Sequence, residues 1–77
     1  MNEEQKKIVS DEIRVQRCKS KLTQIDMATA LNITRETYRK LENDPSKISF
    51  EQGLIISYRL NWNLFNFIMD TVLHNAI

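Results

Sequence analysis

Residues 23–42 read TQIDMATALNITRETYRKLE, and this stretch decides the fold. Its first half predicts a short helix over residues 24–31, because three apolar residues recur there at helical spacing. They are Met27, Ala28 and Leu31. Thr23 is a good N-cap, and Asp26 three residues later makes a weak version of the capping box. Asn32, which tolerates the left-handed conformation, is suited to ending this helix.

The second half of the same stretch predicts another helix after a joint of only three residues. Thr34 is suited to be its N-cap, and Tyr38 and Leu41 form the inward face of a helix over residues 35–42. The other faces of that helix carry Arg35, Glu36, Arg39 and Lys40. Two short helices joined this tightly predict a helix-turn-helix unit.

One helix is predicted before this unit. Val9 and Ile13 share a face at helical spacing and favour a helix over residues 9–20. Residues 1–8 are expected to form an N-terminal extension, either loose or helical. Cys18 lies on the same predicted helix, where we expect it to be a small apolar filler near the core.

Two helices are predicted after the unit. Ser49 and Gln52 form a capping box, which opens a helix over residues 50–60 after the loop NDPSK. Apolar residues at helical spacing predict a last helix from residue 63 to 75. We therefore expect residues 1–77 to form a single all-α domain of five helices, in which the second and third make the helix-turn-helix.

The composition excludes several classes of protein. The 77-residue chain has one glycine, one proline and one cysteine. So few turn-forming residues exclude a small β-sandwich or barrel, and a single glycine excludes a glycine-rich phosphate loop. One thiol builds neither a disulfide framework nor a zinc site. The one glycine, Gly53, falls inside the helix predicted for residues 50–60, where we expect it to mark a close approach to a neighbouring helix.

The first and last segments of the chain bear on its location. The N-terminal stretch MNEEQKKIVSDE has no apolar core and does not resemble a signal peptide. The apolar stretch near the C-terminus is interrupted by Asn61, Asn63, Asn66 and Asp70, so we expect no membrane-spanning helix. A single free cysteine is typical of a reduced compartment, and we expect a cytoplasmic protein.

Charge is distributed unevenly, although the net charge is only +1. Residues 14–47 hold eight basic side chains against four acidic ones, whereas the rest of the chain holds three basic and six acidic. The middle of the chain is therefore basic between acidic ends. Such clustering of lysine and arginine is one signature of a nucleic-acid-binding surface.

Residues 23–42 closely resemble the helix-turn-helix of the Cro and lambda-repressor family, whose usual pattern is s-Q-x-x-L-A-x-x-l-g-v-s-x-x-t-i-x-x-w-E. The positions in register are Thr23, Gln24, Met27, Ala28, Leu31, Ile33, Thr34, Thr37, Tyr38, Leu41 and Glu42. The resemblance covers about residues 9–65, because ISFEQGLIISYRLNW is similar to the family's following helix. The family often has glycine where this chain has Lys21, Asn32 and Asn61.

The resemblance implies a lambda-repressor-like fold and a small transcriptional regulator that binds double-stranded DNA. Stand-alone members of similar size include phage repressors, restriction–modification controllers and regulators of plasmids or mobile elements. In such docking the third helix enters the major groove with its N-terminal residues facing base edges. The candidate base-reading residues are Arg35, Glu36, Arg39 and Lys40. The candidate phosphate contacts are Thr23, Gln24, Thr34, Thr37, Asn43 and Lys47.

Arg17 and Glu42 occupy positions that commonly pair in this family. The resemblance therefore implies a structural ion pair that ties the first helix to the end of the third. Breaking such a pair by removing one partner would cost several kcal/mol, about 3–5 when it is buried.

The C-terminal segment, residues 62–77, is more apolar than a 77-residue monomer needs. Its apolar side chains cover too much of a helix circumference for one buried stripe. We expect a homodimer interface at Trp62, Leu64, Phe65, Phe67, Ile68, Met69, Val72 and Leu73. A two-fold dimer would place two recognition helices about 34–36 Å apart on a palindromic operator.

Two other functions stay open at this point. One is an antitoxin, which binds DNA but mainly uses its apolar C-terminal helix to hold a toxin. The other is a protein-interaction module on the same fold without a DNA role. No arrangement of nucleophile, histidine and carboxylate supports an enzyme. We expect no metal, cofactor, small-molecule ligand or membrane partner. A second regulatory protein or a toxin is compatible with the functions named above.

Overall fold

The computed structural model describes residues 1–74. These residues contain five α-helices joined by short turns. Their bounds are α1 (Glu3–Lys19), α2 (Gln24–Leu31), α3 (Arg35–Asn43), α4 (Phe50–Leu60) and α5 (Leu64–His74), with a 3-10 turn at Pro45–Lys47. These residues contain no β-strand, so the all-α, five-helix prediction is confirmed. The last part of the predicted C-terminal segment, residues 75–77, lies outside the described residues.

Helix α1 begins at Glu3, so residues 3–8 of the expected extension take the helical alternative and are continuous with the helix predicted from residue 9. The cause is a capping box that apolar periodicity does not reveal. The Asn2 side chain accepts a hydrogen bond from the Gln5 backbone N–H at 2.8 Å, and the Gln5 side chain accepts one from the Asn2 N–H at 2.9 Å. Two helical N–H groups are thereby satisfied at the exposed start of the chain.

The expectation that Cys18 fills the core is wrong, because Cys18 is exposed. Val9 and Ile13 do face the core and are almost fully buried. At 100° per residue, Cys18 lies about 140° around the helix from Ile13, which directs its side chain away from that face.

The capping residues predicted for the later helices are confirmed. Thr23 and Asp26 cap α2 reciprocally, with N···O distances of 2.8 and 3.1 Å. Ser49 and Gln52 do the same for α4 at 2.9 and 3.1 Å. Reciprocal capping satisfies two N–H groups per helix end, which lets short helices begin at defined residues.

Three joints adopt the left-handed conformation at the positions where the family often has glycine. The φ angles are 58° at Lys21, 57° at Asn32 and 48° at Asn61. Asparagine occupies this region readily, but for other L-residues it costs about 1–2 kcal/mol. Lys21 is therefore the strained joint of the three, between α1 and α2.

The core lies where α1, α2, α4 and the inner faces of α3 and α5 meet. Its buried apolar side chains are Val9, Ile13, Met27, Ala28, Leu31, Tyr38, Leu41, Ile56, Leu60 and Leu64. Trp62 and Phe67 pack against this cluster as a tilted ring pair with centroids 5.5 Å apart. The Tyr38 hydroxyl lies in the core without a hydrogen-bond partner of good geometry among the described residues. Burial, and then the nearby Glu42 carboxylate, raise the pKa of Tyr38.

Gly53 marks a close approach between α4 and α5, as expected. A Cβ atom added at this position would lie 2.5 Å from Phe65 Cζ and 2.9 Å from Phe65 Cε1. The Phe65 ring therefore occupies the space above Gly53, and its centroid also lies 5.2 Å from that of Phe50. The glycine lowers helix propensity by about 1 kcal/mol relative to alanine, but it lets the two helices approach.

Replacing Gly53 with alanine is expected to lower the free energy of unfolding by about 1 kcal/mol, because overpacking against Phe65 outweighs the gain in helix propensity. In a Phe65→Ala background the same replacement should raise the free energy of unfolding by about 1 kcal/mol, since only the propensity gain remains. Urea unfolding of the four proteins in this double-mutant cycle measures both effects. If Gly53→Ala changed the free energy of unfolding equally in both backgrounds, the contact between residue 53 and Phe65 would be contradicted.

Candidate nucleic-acid interface

Helices α2 and α3 and the joint between them form one packed unit. The joint is Asn32, in the left-handed conformation, followed by Ile33 and the N-cap Thr34. Helix α3 buries Tyr38, Leu41 and Glu42 against α1 and α2. This burial orients the helix so that its opposite face is open to solvent along its whole length. The exposed residues on that face are Arg35, Glu36, Thr37, Arg39 and Lys40.

An open concavity of about 540 Å³ lies beside the start of α2. It is lined by Arg17, Lys21, Leu22, Thr23, Gln24, Ile25 and Arg35. Side chains from the end of α1, the joint before α2 and the start of α3 therefore meet here. Three of them are cationic, and none of the lining residues is acidic.

The capping box of α2 leaves two backbone N–H groups at the start of the helix without a hydrogen-bond partner among residues 1–74. The Thr23 and Asp26 N–H groups bond to each other's side chains, while those of Gln24 and Ile25 have no partner in the described residues. Unpaired N–H groups at a helix N-terminus, with the positive end of the helix dipole, are a favourable site for an anion. The hydrogen bonds from Thr23, first among them that of its backbone N–H, hold the pKa of Asp26 below its usual range.

The lysine and arginine side chains divide into two groups. Five form ion pairs with carboxylates of the chain, namely Lys6, Lys7, Arg14, Arg17 and Arg39. The other six form none within residues 1–74, and they are Lys19, Lys21, Arg35, Lys40, Lys47 and Arg59. Most of this second group lies on the helix-turn-helix or at its two ends. These charges are available to an external anion.

Arg35 and Lys40 have no ion-pair partner among residues 1–74, whereas Glu36 and Arg39 pair with each other along α3. The Arg39 guanidinium donates to both carboxylate oxygens of Glu36, with an Nε···Oε2 distance of 3.0 Å. This bidentate contact, more than the neighbouring charges, holds the pKa of Glu36 below its usual value and raises that of Arg39. Either side chain must loosen the pair before it can bind a base edge alone.

The remaining candidate phosphate contacts lie at the two ends of α3. Thr34 Oγ1 caps the helix by accepting from the Thr37 N–H and donates its own proton to Thr37 Oγ1 at 2.9 Å. The Thr37 hydroxyl therefore keeps a donor of its own. At the other end, the Asn43 side-chain carbonyl accepts from Arg14, which leaves the Asn43 amide NH₂ as a donor. Lys47 is exposed on the 3-10 turn that follows.

Arg17 and Glu42 form an ion pair between α1 and the end of α3. Arg17 Nε lies 3.0 Å from Glu42 Oε2, and Arg17 Nη2 lies 3.2 Å from Oε1. The Glu42 carboxylate is fully buried, whereas the Arg17 side chain is 14% exposed. Burial alone would lower the pKa of Arg17, but the hydrogen bonds and the charge of Glu42 raise it.

Three further groups converge on Glu42, and sequence reasoning assigned none of them to this network. Arg14 Nε lies 3.5 Å from Glu42 Oε1, and Gln24 Nε2 donates to the same oxygen at 3.4 Å. The Ser10 hydroxyl donates to the Glu42 backbone carbonyl at 2.6 Å. Ser10 and Arg14 lie at helical spacing from Arg17 along α1, so a signal was available in retrospect. Gln24, a candidate phosphate contact, is partly held by this network.

The candidate interface residues on α5 divide between the core and the surface. Leu64 is fully buried within the monomer and cannot contact a partner, because its face of α5 packs on α1 and α4. Phe67, Ile68 and Trp62 also pack against the core. Met69 and Leu73 are exposed, and Phe65 and Val72 are half-buried.

Helix α4 adds exposed apolar residues that were not among those candidates. Phe50, Leu54 and Tyr58 recur every four residues along one side of α4, and their exposed fractions are 71%, 49% and 84%. Phe65, Met69 and Leu73 recur at the same spacing along α5, and Phe65 joins the two stripes through its contact with Phe50. We call these six side chains the α4–α5 apolar surface. Sequence reasoning missed its α4 half because the expected interface was confined to the C-terminal segment, residues 62–77.

Other kinds of site receive no support from the described residues. They hold no group of three or more histidine, cysteine, aspartate or glutamate side chains able to bind a metal ion. None of the helices among them is long and apolar enough to cross a membrane.

Comparison with known proteins gives one match. A family model described as Helix-turn-helix matches residues 13–57, which is more than half of the chain. The match begins within α1, contains α2 and α3 entirely, and ends within α4. Neither the curated proteins nor the solved structures give a match.

Proposed function

The chain belongs to the helix-turn-helix family of Cro/C1-type, DNA-binding transcription regulators, and on that premise we propose that it is a homodimeric repressor or controller that binds a palindromic operator. We further propose that it serves a phage, plasmid or other mobile element in a bacterial cell. The observation that carries the proposal is the charge pattern of α3 and its surroundings. Arg35 and Lys40, which have no carboxylate partner among residues 1–74, lie on the exposed face of a helix whose other face is fixed in the core. The family is a regulatory one and is not a known enzyme family.

In the proposed complex, α3 lies in the major groove and its exposed residues read base edges. Arg35 and Lys40 donate to guanine O6 and N7. Each such contact, when its geometry is good, favours guanine over another base by about 1–3 kcal/mol. Glu36 and Arg39 enter the groove as the pair they already form. Arg39 then contacts an acceptor on guanine while Glu36 holds the guanidinium, or Glu36 accepts from cytosine N4 after the pair opens.

The phosphate contacts are proposed at both ends of the unit. At the start of α2, the free N–H groups of Gln24 and Ile25 bind one phosphate, with help from the Thr23 and Gln24 side chains. Thr34 and Thr37 contact the backbone beside the start of α3. Asn43 and Lys47 bind a further phosphate beyond its end. These contacts set the position of α3 in the groove but carry no sequence information themselves.

The proposed dimer uses the α4–α5 apolar surface. Six apolar side chains on two neighbouring helices are more than the scattered exposed hydrophobics of an ordinary monomer. Phe50 and Tyr58 are aromatic, and aromatic residues are enriched at interfaces. The α4–α5 surface shares no residue with the face proposed to bind DNA, which lies on α2, α3 and the turn after α3. The same surface is what an antitoxin would present to a toxin, which makes the oligomeric state of the purified protein the discriminating observation.

Selection of duplexes from a random pool tests the proposal. We expect the recovered sites to be palindromic, and we expect Arg35→Ala and Lys40→Ala each to relax the preference at one base position per half-site, by about 1–3 kcal/mol. Lys7→Ala is the matched control, because Lys7 is equally a surface cation but is paired with Asp11 on α1. It should leave every base preference unchanged.

Two outcomes would count against the proposal. A loss of affinity that is uniform across sequences would make Arg35 and Lys40 phosphate contacts and not base contacts. A response to salt that is flat between about 50 and 200 mM would contradict phosphate binding altogether and favour the protein-interaction module.

A further inference from the structure

Lys21 is a feature of this chain that neither the core nor the base-reading face explains. It lies between α1 and α2 with φ 58°. Its backbone N–H donates to the Cys18 carbonyl at 3.0 Å, and the next N–H, of Leu22, donates to the Arg17 carbonyl at 3.1 Å. These bonds close the end of α1 and require a left-handed residue at this position. Glycine would allow the same two hydrogen bonds without backbone strain, so the backbone conformation does not explain why this position has a lysine side chain.

The surroundings of the side chain supply that reason. Lys21 lines the concavity at the start of α2, together with Arg17, Gln24 and Arg35. Of the three cations there, Arg17 is committed to Glu42 and to the Leu22 carbonyl, at N···O distances of 3.0 and 3.1 Å respectively. Lys21 is exposed and has no carboxylate partner among residues 1–74. Its ammonium group is therefore available beside the free N–H groups of Gln24 and Ile25.

We propose that Lys21 binds the DNA phosphate that is held at the start of α2. This inference rests on the proposed function, because it needs the backbone to pass over that concavity. The lysine adds a mobile cation to a site whose other donors are fixed backbone amides. A strongly hydrated ammonium on a flexible stem binds phosphate as a point charge and does not need a fixed approach angle. The strain at the joint is then the consequence of retaining a charge at a position suited to glycine.

The salt dependence of DNA binding tests this role. Removal of one cation that neutralises a phosphate makes the slope of log K against log salt less negative by about 0.9. For Lys21→Gly we expect this change once per subunit, with affinity for mixed-sequence duplex DNA falling on the order of tenfold at about 50 mM salt. Fluorescence anisotropy titrations between about 50 and 200 mM salt measure both quantities.

Lys21→Gly separates the binding role from folding, because glycine relieves the left-handed strain. Its thermal midpoint should rise while its DNA affinity falls, a combination that a merely structural lysine would not produce. Lys21→Arg keeps the charge and should keep the salt slope. Lys19→Gln is the matched control, since Lys19 is exposed two residues earlier but does not line the concavity. Its slope should stay close to that of the wild type.

The outcomes of this experiment separate the inference from the proposed function. A Lys21→Gly protein with the wild-type slope, in a wild type that binds DNA with strong salt dependence, would overturn the phosphate role of Lys21 and leave the proposed function standing. An equal change in Lys19→Gln would likewise overturn it, because the effect would then be one of general charge. A wild type that fails to bind duplex DNA would overturn both.

Discussion

Replacing Glu42 with alanine is expected to lower the free energy of unfolding by about 3–5 kcal/mol. The carboxylate is fully buried and accepts hydrogen bonds from Arg17 and Gln24, with Arg14 close by. Its removal leaves the guanidinium of Arg17 nearly buried without an opposite charge. Small domains have a total stability of about 0.05–0.15 kcal/mol per residue, which is about 4–12 kcal/mol for this chain, so a large fraction of its stability would disappear. Urea unfolding followed by circular dichroism measures the change.

Glu36→Ala is the matched control for this prediction. Glu36 is also a glutamate on α3 and also bonds to an arginine in a bidentate manner, but both side chains are exposed. Water and salt screen such a pair, so its loss should change the stability little. The double replacement Arg17→Met with Glu42→Leu should recover part of the loss, because apolar side chains then fill the site and no charge is left buried. Equal losses for Glu42→Ala and Glu36→Ala would contradict a structural role of the buried pair.

Introducing charge into the α4–α5 apolar surface is expected to convert the proposed dimer into monomers and to weaken operator binding by about 10²–10⁴-fold. The second subunit of a dimer binds its half-site intramolecularly, and that advantage disappears when the subunits separate. Tyr58→Glu on α4 and Leu73→Glu on α5 test the two stripes separately. Both side chains are largely exposed, at 84% and 60%, so the monomer should still fold.

Val15→Glu is the control for the dimer prediction. Val15 is also a partly exposed apolar residue, at 45%, but it lies on α1 and is not one of the six side chains of the α4–α5 surface. The variant carries the same added charge and should remain a dimer with full operator affinity. Sedimentation analysis gives the mass, and anisotropy with a palindromic duplex gives the affinity. Tyr58→Glu and Leu73→Glu proteins that keep the wild-type mass would contradict the proposed interface. A wild type that is monomeric would favour the antitoxin alternative.

The sequence was most informative where local chemistry decides the backbone. Thr23 with Asp26, and Ser49 with Gln52, placed the starts of α2 and α4 correctly, because a capping box involves only residues three apart. The joints at Lys21, Asn32 and Asn61 were located by the missing glycines. Asn2 with Gln5 carries the same kind of signal, but apolar periodicity begins only at Val9 and concealed it.

Contacts between helices were harder to predict from the sequence. The sequence predicted that Gly53 allows a close approach, but it did not identify Phe65 as the neighbour. It paired Arg17 with Glu42 through the family resemblance, yet it did not show that Arg14, Gln24 and Ser10 converge on the same residue. Along the chain, Gln24 is 18 residues from Glu42 and Ser10 is 32 residues from it. Helical spacing places Ser10 and Arg14 on the same face as Arg17, but no periodic signal connects that face to a residue so far along the chain.

By itself, the sequence determined an all-α domain of five helices, a helix-turn-helix over residues 23–42 and the family to which the chain belongs. Those features follow from capping, spacing and motif, which operate within a few residues. Only the tertiary structure decided that Arg14 and Arg17 share the buried carboxylate of Glu42, and which apolar side chains stay outside the core. Leu64 was thus distinguished from Leu73 by packing alone, because burial depends on what the fold brings alongside each residue.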